Sequence, residues 1–400
     1  MPSPMSRRPG CDVDLTAADF VVDPYPALAR ARARGPVAWH ESSRRWLVFG
    51  HGACNAVLRD RRLGRLWRDK QPPERFEAFN LVHRNQMMEH EPPEHSRLRR
   101  NVSTAFARGH IERMRPRVTA LGTDLLRNVA GRDFDVLKEY AEPLPVLVIA
   151  ELLGAPAEDV TRLRGWSQAI VRMYEPVVPA DVEEAALQAS AEFADYLRSL
   201  MRERRTDLRD DLLSDLLRAQ SGPSGLSDDE VIASAILLLN AGHEASVNVF
   251  GNGLVALLRS PAQWERLVSG EVAPELAVEE MLRYDSALQL FERTATADVE
   301  VADVTVEAGE TVAVLLGSAN RDDRVFACAD ALDIGRDPNP HLAFGAGVHF
   351  CLGAPLARME LAESLRLLAA VLPALMLAEE PRRRPTFVLR GYSSVPVTVG

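Results

Sequence analysis

The sequence predicts a mainly α-helical protein with small β-sheets, on three observations. Apolar residues recur at three- and four-residue spacing from His95 to about Arg283, as they do along one face of an α-helix. Strand patterns are confined to residues 35–50, 293–315 and 386–399. No strong linker divides the chain of 400 residues, so we expect residues 1–400 to form a single domain.

Composition argues against several classes of protein. The 47 Lys and Arg against 57 Asp and Glu give a net charge of −10, which disfavours broad nucleic-acid binding. Cys11, Cys54, Cys328 and Cys351 lie far apart, so we expect no disulfide framework or structural zinc site, and a cytoplasmic location fits. We also expect no signal peptide and no membrane span, because no apolar run reaches ~18 residues.

In chain order, residues 35–50 predict two short strands around a polar turn at Ser42 and Ser43. Residues 62–93 are rich in charge, Pro and Met, and predict a long irregular loop of the kind that is usually functional. The longest helix is predicted to follow Ser227 and run to about Arg259, because Ser227 and Glu230 match a capping box. Its centre, NAGHE at 240–244, interrupts an apolar segment, and such violations often mark function.

One cysteine stands in an unusual loop. Residues 344–353 read FGAGVHFCLG and precede a helical segment. Glycines let a backbone approach a flat ligand closely, and a thiolate near a helix N-terminus gains from the dipole and the free N–H donors. The loop therefore suits a thiolate that binds iron from one side of a macrocycle.

This loop resembles the haem-binding loop of the cytochrome P450 family at each defining position, namely Phe344, Gly345, Gly347, His349, Cys351 and Gly353. Glu280 and Arg283 resemble the family's E-x-x-R helix motif, and residues 319–322 resemble the segment between the two motifs. The resemblance spans nearly the whole chain. It implies the cytochrome P450 fold, haem b (iron protoporphyrin IX) as cofactor, and a soluble bacterial-type monooxygenase.

The resemblance also implies a set of haem-binding residues. Cys351 would be the axial ligand of the haem iron, and Glu280 with Arg283 would be a buried structural pair. His95, Arg99, Arg293 and His349 match the positions that bind the haem propionates, which need cationic or hydrogen-bonding partners. The cofactor-binding positions together are His95, Arg99, Arg293, Phe344, Gly345, His349 and Gly353.

The family's distal-helix motif is matched except at one position. Ala241 and Gly242 would leave a groove for oxygen, and Glu244 would relay protons. The family usually has Thr at the next position, where this chain has Ala245, followed by Ser246. Adjacent helix residues point ~100° apart, so Ser246 cannot simply replace the missing hydroxyl. We hypothesise that ordered water, held by Ser246 or by a substrate hydroxyl, supplies that hydrogen bond.

The resemblance further implies a pocket and partners. The pocket residues are expected to be Met87, Met88, Leu237, Asn240, Leu288, Gln289 and Tyr392, with residues 171–179 as a lid. The expected partners are O2, a small-molecule substrate, and a ferredoxin-type iron–sulfur protein with its reductase. Arg97, Arg100, Arg108 and Arg358 could form a basic docking face.

Three other interpretations stay open from the sequence. The chain could catalyse oxidative coupling or ring closure instead of hydroxylation, which would explain Ala245. It could be a non-catalytic haem-thiolate sensor, which would not need Glu244. It could also be a helical scaffold with an incidental cysteine, which would be colourless when purified.

Overall fold

The computed structural model describes residues 8–103, 105–106, 108–129, 131–175, 177–221 and 225–399. Helices dominate these residues. They are α1 (Ala18–Val22), α2 (Tyr25–Arg34), α3 (His51–Arg59), α4 (Pro73–Arg84), α5 (Glu94–Ser103), α6 (Arg108–Arg127), α7 (Pro143–Leu153), α8 (Val160–Val171), α9 (Ala180–Thr206), α10 (Leu212–Ala219), α11 (Asp228–Leu258), α12 (Pro261–Val268), α13 (Pro274–Tyr284), α14 (Leu316–Ala319) and α15 (Ala354–Val371). A π-helical turn spans Leu137–Ala141, and short 3-10 turns include Met87–Glu89, Arg172–Tyr174 and Gly347–His349.

The strands are short and form four small sheets among the described residues. They are β1 (Gly10–Cys11), β2 (Val37–His40), β3 (Arg45–Val48), β4 (Leu63–Gly64), β5 (Phe134–Asp135), β6 (Leu290–Ala295), β7 (Val299–Val301), β8 (Val304–Val306), β9 (Thr311–Leu315), β10 (Met376–Leu377), β11 (Arg382–Arg383), β12 (Tyr392–Ser394) and β13 (Pro396–Thr398). The largest sheet has the order β1-β2-β3-β9-β6-β4. This architecture confirms the predicted fold class.

Helix α11 is the central element. The Ser227 hydroxyl accepts the backbone N–H of Glu230, while the Glu230 carboxylate accepts that of Ser227, so the predicted capping box is present. The 31 residues of α11 extend about 46 Å at the usual rise. The helix continues without a break through residues 240–244 and packs against α4, α7, α8, α9, α13 and α15. It therefore carries its central residues into the middle of the molecule.

The prediction of an irregular loop at residues 62–93 is wrong in its middle, where α4 forms. Pro73 occupies the first turn, where its missing N–H costs nothing. Phe76, Phe79 and Val82 are buried on one face, which packs against α9 and α11. The charged residues that suggested a loop lie largely on the other, exposed face, so burial of the apolar stripe determines the local structure.

The strand prediction at residues 386–399 is only partly correct, because β12 and β13 begin at Tyr392. In the turn before them, the Glu175 carboxylate accepts the backbone N–H groups of Phe387, Val388 and Leu389 at 3.1–3.4 Å. The Glu175 side chain thus accepts the backbone N–H groups that a strand would donate to a neighbouring strand. At residues 35–50, β2 and β3 form the predicted hairpin around a turn at 41–44.

Glu280 and Arg283 form a fully buried ion pair on α13, with N–O distances of 2.7 Å. Arg283 also donates to the carbonyl groups of Asn320, Ala329 and Ala331. Glu280 in turn accepts the backbone N–H of residue 333 and side-chain donors from residues 336 and 339. The pair therefore holds α13 to the chain segment that leads into the cysteine loop.

None of the described helices combines the length and the apolarity that crossing a membrane requires.

We expect Glu280→Gln to lower the free energy of unfolding by roughly 3–5 kcal/mol, because it leaves a buried guanidinium without its counter-charge. Chemical denaturation followed by circular dichroism measures this loss. Glu275→Gln is the matched control, since Glu275 lies on the same helix and pairs with Arg366 at the exposed surface. The control should cost at most about 1 kcal/mol, and equal losses in the two variants would contradict the structural role of Glu280.

Candidate active site

A cavity of about 1540 Å³ lies between the cysteine loop and the centre of α11. The loop contributes Phe344, Gly345, His349, Cys351 and Gly353 to its lining. The opposite lining comes from Ala241, Gly242, Glu244, Ala245 and Ser246 of α11. Two motifs that are about a hundred residues apart in the sequence therefore line one cavity.

The glycines of the cysteine loop have different local roles. Gly345 and Gly347 adopt φ angles of +68° and +72°, a region that other residues rarely enter. A Cβ atom on Gly347 would lie 2.3 Å from the Leu58 carbonyl oxygen of α3. Gly347 thus allows close backbone packing, while Gly353 precedes α15 directly. The Cys351 N–H donates to the Phe344 carbonyl at 2.9 Å and closes the loop.

The Cys351 thiol points into the cavity under opposing electrostatic influences. Burial raises its pKa, whereas the N–H groups of Gly353 and Ala354 and the charges of Arg99 and Arg358 lower it. These donors belong to the start of α15, where free N–H groups and the helix dipole favour a negative sulfur. The described residues contain no group of three or more His, Cys, Asp or Glu side chains that could hold a metal ion. The start of α15 therefore favours the thiolate form of Cys351, which is the form that binds a metal ion.

Cationic and histidine side chains lie beside the cysteine loop, and His95 and Arg293 among them are buried. His95 Nε2 contacts the Val348 carbonyl at 3.0 Å, and Arg99 donates to the Phe350 carbonyl at 2.8 Å. Arg293 is 3% exposed, and its hydrogen bond goes to the neighbouring Glu292 carbonyl. Burial and the nearby Arg65 lower the pKa of Arg293 to about 10. A guanidinium buried in a cavity with so little compensation is suited to a carboxylate ligand.

Two further residues of this cluster were missed by the sequence analysis. Arg65 lines the cavity, is bound to Glu89 at 2.6 Å, and keeps a buried Nε without a partner. Glu91 accepts a hydrogen bond from His349 at 2.8 Å. Both lie in the segment predicted to be an irregular loop, so only the folded chain reveals their position.

Glu244 is held at the cavity wall by an arginine from the C-terminal region. Its Oε2 accepts from Arg384 Nη1 at 3.0 Å, while its buried Oε1 has no hydrogen-bond partner. Arg384 also contacts Glu142 at 3.4 Å, and Glu142 lies 3.7 Å from Arg164. The side chains of Arg384 and Arg164 are partly exposed. Alternating charges thus connect the cavity wall with the surface.

His243, the neighbour of Glu244, does not add a charge to this chain. It is fully buried, and burial lowers its pKa to about 4. The imidazole is therefore neutral at neutral pH, which leaves Arg384 as the cation that pairs with Glu244. The sequence could not reveal this pair, because 140 residues separate its members.

Five of the seven predicted pocket residues line the cavity: Met87, Met88, Leu237, Asn240 and Leu288. Asn240 is the polar member at the α11 wall, and its Oδ1 is buried without a hydrogen-bond partner. Polar atoms buried in this way normally find a partner, so this oxygen is a candidate contact for a bound molecule.

The predictions for Gln289 and Tyr392 are wrong, because both side chains pack elsewhere. Gln289 donates to the Ser286 carbonyl at 2.6 Å and to the Tyr25 hydroxyl at 3.2 Å. It points to the opposite face from Leu288, as the two-residue alternation of extended chain requires. Tyr392 lies in β12 under the guanidinium of Arg383, 4.0 Å from the ring centre. Val388 and Leu389 line the cavity in its place.

The predicted lid lies between α8 and α9, and residue 176 within it falls outside the described residues. Met173, Tyr174 and Glu175 line the cavity. Tyr174 contacts His83 of α4 at 3.3 Å, and Glu175 binds the turn at 387–389. Both contacts tie this segment to other walls of the cavity.

Comparisons with known proteins agree with this geometry. The family model described as "Cytochrome P450" matches residues 165–269 and 275–375. The cytochrome P450 monooxygenase PikC of Streptomyces venezuelae is 38% identical over 97% of this chain and 94% of its own length. The 6-deoxyerythronolide B hydroxylase of Saccharopolyspora erythraea is 37% identical over 96% of this chain and 98% of its own length.

A solved structure of a cytochrome P450 has the same fold as this chain. The chain of P450BioI, crystallised with an acyl carrier protein that carries hexadec-9Z-enoic acid, superposes with a TM-score of 0.91 and 32% identity. The match covers 96% of this chain and 100% of that chain. This chain therefore belongs to the cytochrome P450 family, and it is a monooxygenase that uses haem b.

Proposed function

We propose that this monooxygenase hydroxylates a large, mainly apolar natural product that it holds between Asn240 and the haem. The cavity is the observation that carries the proposal. It is large enough for the haem and a substrate together, and aliphatic and aromatic side chains contribute much of its lining. The unpaired Asn240 oxygen offers one fixed acceptor to a substrate hydroxyl or amide. The hydroxylase named above, which acts on 6-deoxyerythronolide B, supports this substrate class.

The residues of the cavity fit a haem. Cys351 would be the iron ligand, with the N–H groups of Gly353 and Ala354 tuning its charge. Arg293, His95, Arg99 and His349 would hold the propionates. When bound, haem b supplies the chemistry of O2 activation, to which a thiolate ligand contributes electron density.

Glu244 would relay protons into the cavity. Its Oε1 is buried and unpaired, and its Oε2 is bound to the partly exposed Arg384. Rotation of the carboxylate away from Arg384 would let it exchange protons with water at the surface and then return. The small side chains of Ala241 and Gly242 leave room for oxygen beside it, and Ala245 contributes no hydroxyl.

The electron donor would be a ferredoxin-type iron–sulfur protein with its own reductase. Arg100 is exposed and available for docking, while Arg358 is already bound by Glu279 at 2.6 Å. Arg97 is likewise paired, with Glu230, and the side chain of Arg108 lies outside the described residues. The docking face is therefore less basic than the sequence predicts.

The four cysteines are free thiols, which supports a cytoplasmic location.

We expect Arg293→Leu to release haem roughly 10- to 100-fold faster than the wild type, because a hydrogen bond to a charged group contributes about 1.5–3 kcal/mol. Haem transfer to apomyoglobin measures this rate. Arg127→Leu is the control, since Arg127 pairs with Asp124 at the exposed surface. Unchanged haem release in Arg293→Leu would show that Arg293 does not hold the cofactor.

We expect the product formed per NADH by Ala245→Thr to stay within roughly twofold of the wild type, whereas a residue that transfers protons typically changes the reaction rate by ~10²-fold. The substrate is first found by a screen for Soret shifts that begins with 6-deoxyerythronolide B. Ala245→Val is the matched control because it has the shape of Thr without the hydroxyl.

A marked gain in coupling with Thr and not with Val would contradict the idea that water or substrate replaces the hydroxyl.

The mass of the product tests the proposed reaction. Hydroxylation adds one oxygen atom, whereas coupling or ring closure removes hydrogen without adding oxygen.

A further inference from the structure

One tyrosine hydroxyl group lies in the lid between α8 and α9. Tyr174 ends the 3-10 turn Arg172–Tyr174 and lines the cavity. Its hydroxyl oxygen lies 3.3 Å from Nε2 of His83 on α4. Trp67 and Phe79 also line the cavity and pack against the His83 ring, with ring centres 4.6 Å and 4.1 Å away. The lid therefore places a polar atom beside an aromatic part of the cavity wall.

The hydrogen-bond partners of His83 fix which of its two ring nitrogens carries a hydrogen. His83 is 1% exposed, and burial lowers its pKa, so the ring is neutral at pH 7. Nδ1 lies 2.9 Å from the Phe79 carbonyl oxygen, which can only accept a hydrogen bond. Nδ1 must therefore carry the single hydrogen of the neutral ring, and Nε2 is left as an acceptor.

The tautomer of His83 determines what the Tyr174 hydroxyl group can offer to a ligand. Because Nε2 is an acceptor, the hydroxyl group donates its one hydrogen to His83. Burial raises the pKa of Tyr174, so the phenol keeps this hydrogen at neutral pH. Within the described part of the chain, no other group hydrogen-bonds the Tyr174 oxygen. The oxygen can therefore accept a hydrogen bond from a ligand, but it has no hydrogen left to donate.

The charges near Tyr174 disfavour a cationic ligand. Glu89 is the acidic group there, and its carboxylate is bound by Arg65 at 2.6 Å. Lys70 lines the cavity 5.9 Å from the centre of the Phe79 ring and has no ion pair with a described residue. Two cations against one carboxylate would repel an ammonium group, while a ligand carboxylate has no hydrogen to give to Tyr174. An uncharged donor such as an alcohol is the group that fits.

We propose that Tyr174 is a specificity-determining residue that selects substrates with an uncharged hydroxyl group at the end nearest the lid. The substrate hydroxyl donates to the Tyr174 oxygen, and His83 is a positioning residue that holds the Tyr174 hydrogen. The inference rests on the proposed function and names a substrate class within it. That class is a mainly apolar molecule that carries an alcohol away from the carbon to be hydroxylated.

Imidazole probes that bind the haem iron test this selection without turnover. Each probe is an imidazole with an alkyl chain on N1 that ends in a hydroxyl group or in its methyl ether, and the chain length is varied. At the length that reaches Tyr174, the wild type should bind the alcohol roughly threefold to tenfold more tightly than the ether, as expected for one hydrogen bond. Titration of the Soret shift measures both dissociation constants.

Tyr174→Phe should abolish this preference, because it removes the hydroxyl oxygen and keeps the ring. Tyr196→Phe is the matched control. Tyr196 is another partly buried tyrosine, but its hydroxyl donates to Asp159 at 3.0 Å and it does not line the cavity. The control should keep the wild-type preference. A wild type without the preference at any chain length, or a preference that persists in Tyr174→Phe, would overturn the proposal.

His83→Phe tests the direction of the hydrogen bond between the two side chains. Without the acceptor nitrogen, the Tyr174 hydrogen is free to be donated to the ether oxygen. The dissociation constant of the ether should therefore fall toward that of the alcohol, which should itself change little. An alcohol preference that stays at the wild-type value in His83→Phe would show that His83 does not hold this hydrogen, and would also overturn the proposal.

Failure of the proposed function is recognised separately. A product without an added oxygen atom would contradict hydroxylation, whereas the probe titrations involve no turnover and would still report the preference for the alcohol.

Discussion

The arrangement of the whole site depends on one constraint, which is that a buried cysteine sulfur must be able to carry negative charge. Burial alone opposes this, and the start of α15 counters it with two N–H groups directed at the sulfur. The left-handed conformation of Gly345 and Gly347 brings Cys351 to that helix end. The Glu280–Arg283 pair fixes the segment that enters the loop. The fold therefore both positions the Cys351 sulfur and favours its negative charge.

Around this atom, charge is arranged by burial as much as by pairing. Arg293 is buried in the cavity wall with a single hydrogen bond, to a neighbouring carbonyl group, which prepares the cavity for an anionic ligand. On the opposite wall Glu244 is matched by Arg384, while His243 is neutral because burial lowers its pKa to about 4.

Local patterns in the sequence predicted those features that depend on neighbouring residues. The capping box at Ser227, the hairpin at 35–50 and the groups of residues that line the cavity from α11 and the cysteine loop follow from short motifs. Contacts between distant segments left no such signal. Glu244 and Arg384 are 140 residues apart, and α4 was hidden because its charged face dominates its composition. Gln289 was misplaced because a one-residue step in extended chain reverses the side-chain direction.

The central claim is that the Cys351 sulfur binds the haem iron as a thiolate, and one spectrum tests it most directly. The haem-loaded protein is reduced under carbon monoxide, and its Soret absorption is compared with that of Cys351→His. The wild type should give the strongly red-displaced band of a thiolate-bound ferrous carbonyl adduct, and the variant should not. A folded, haem-loaded wild type whose band matches that of the variant would contradict the account.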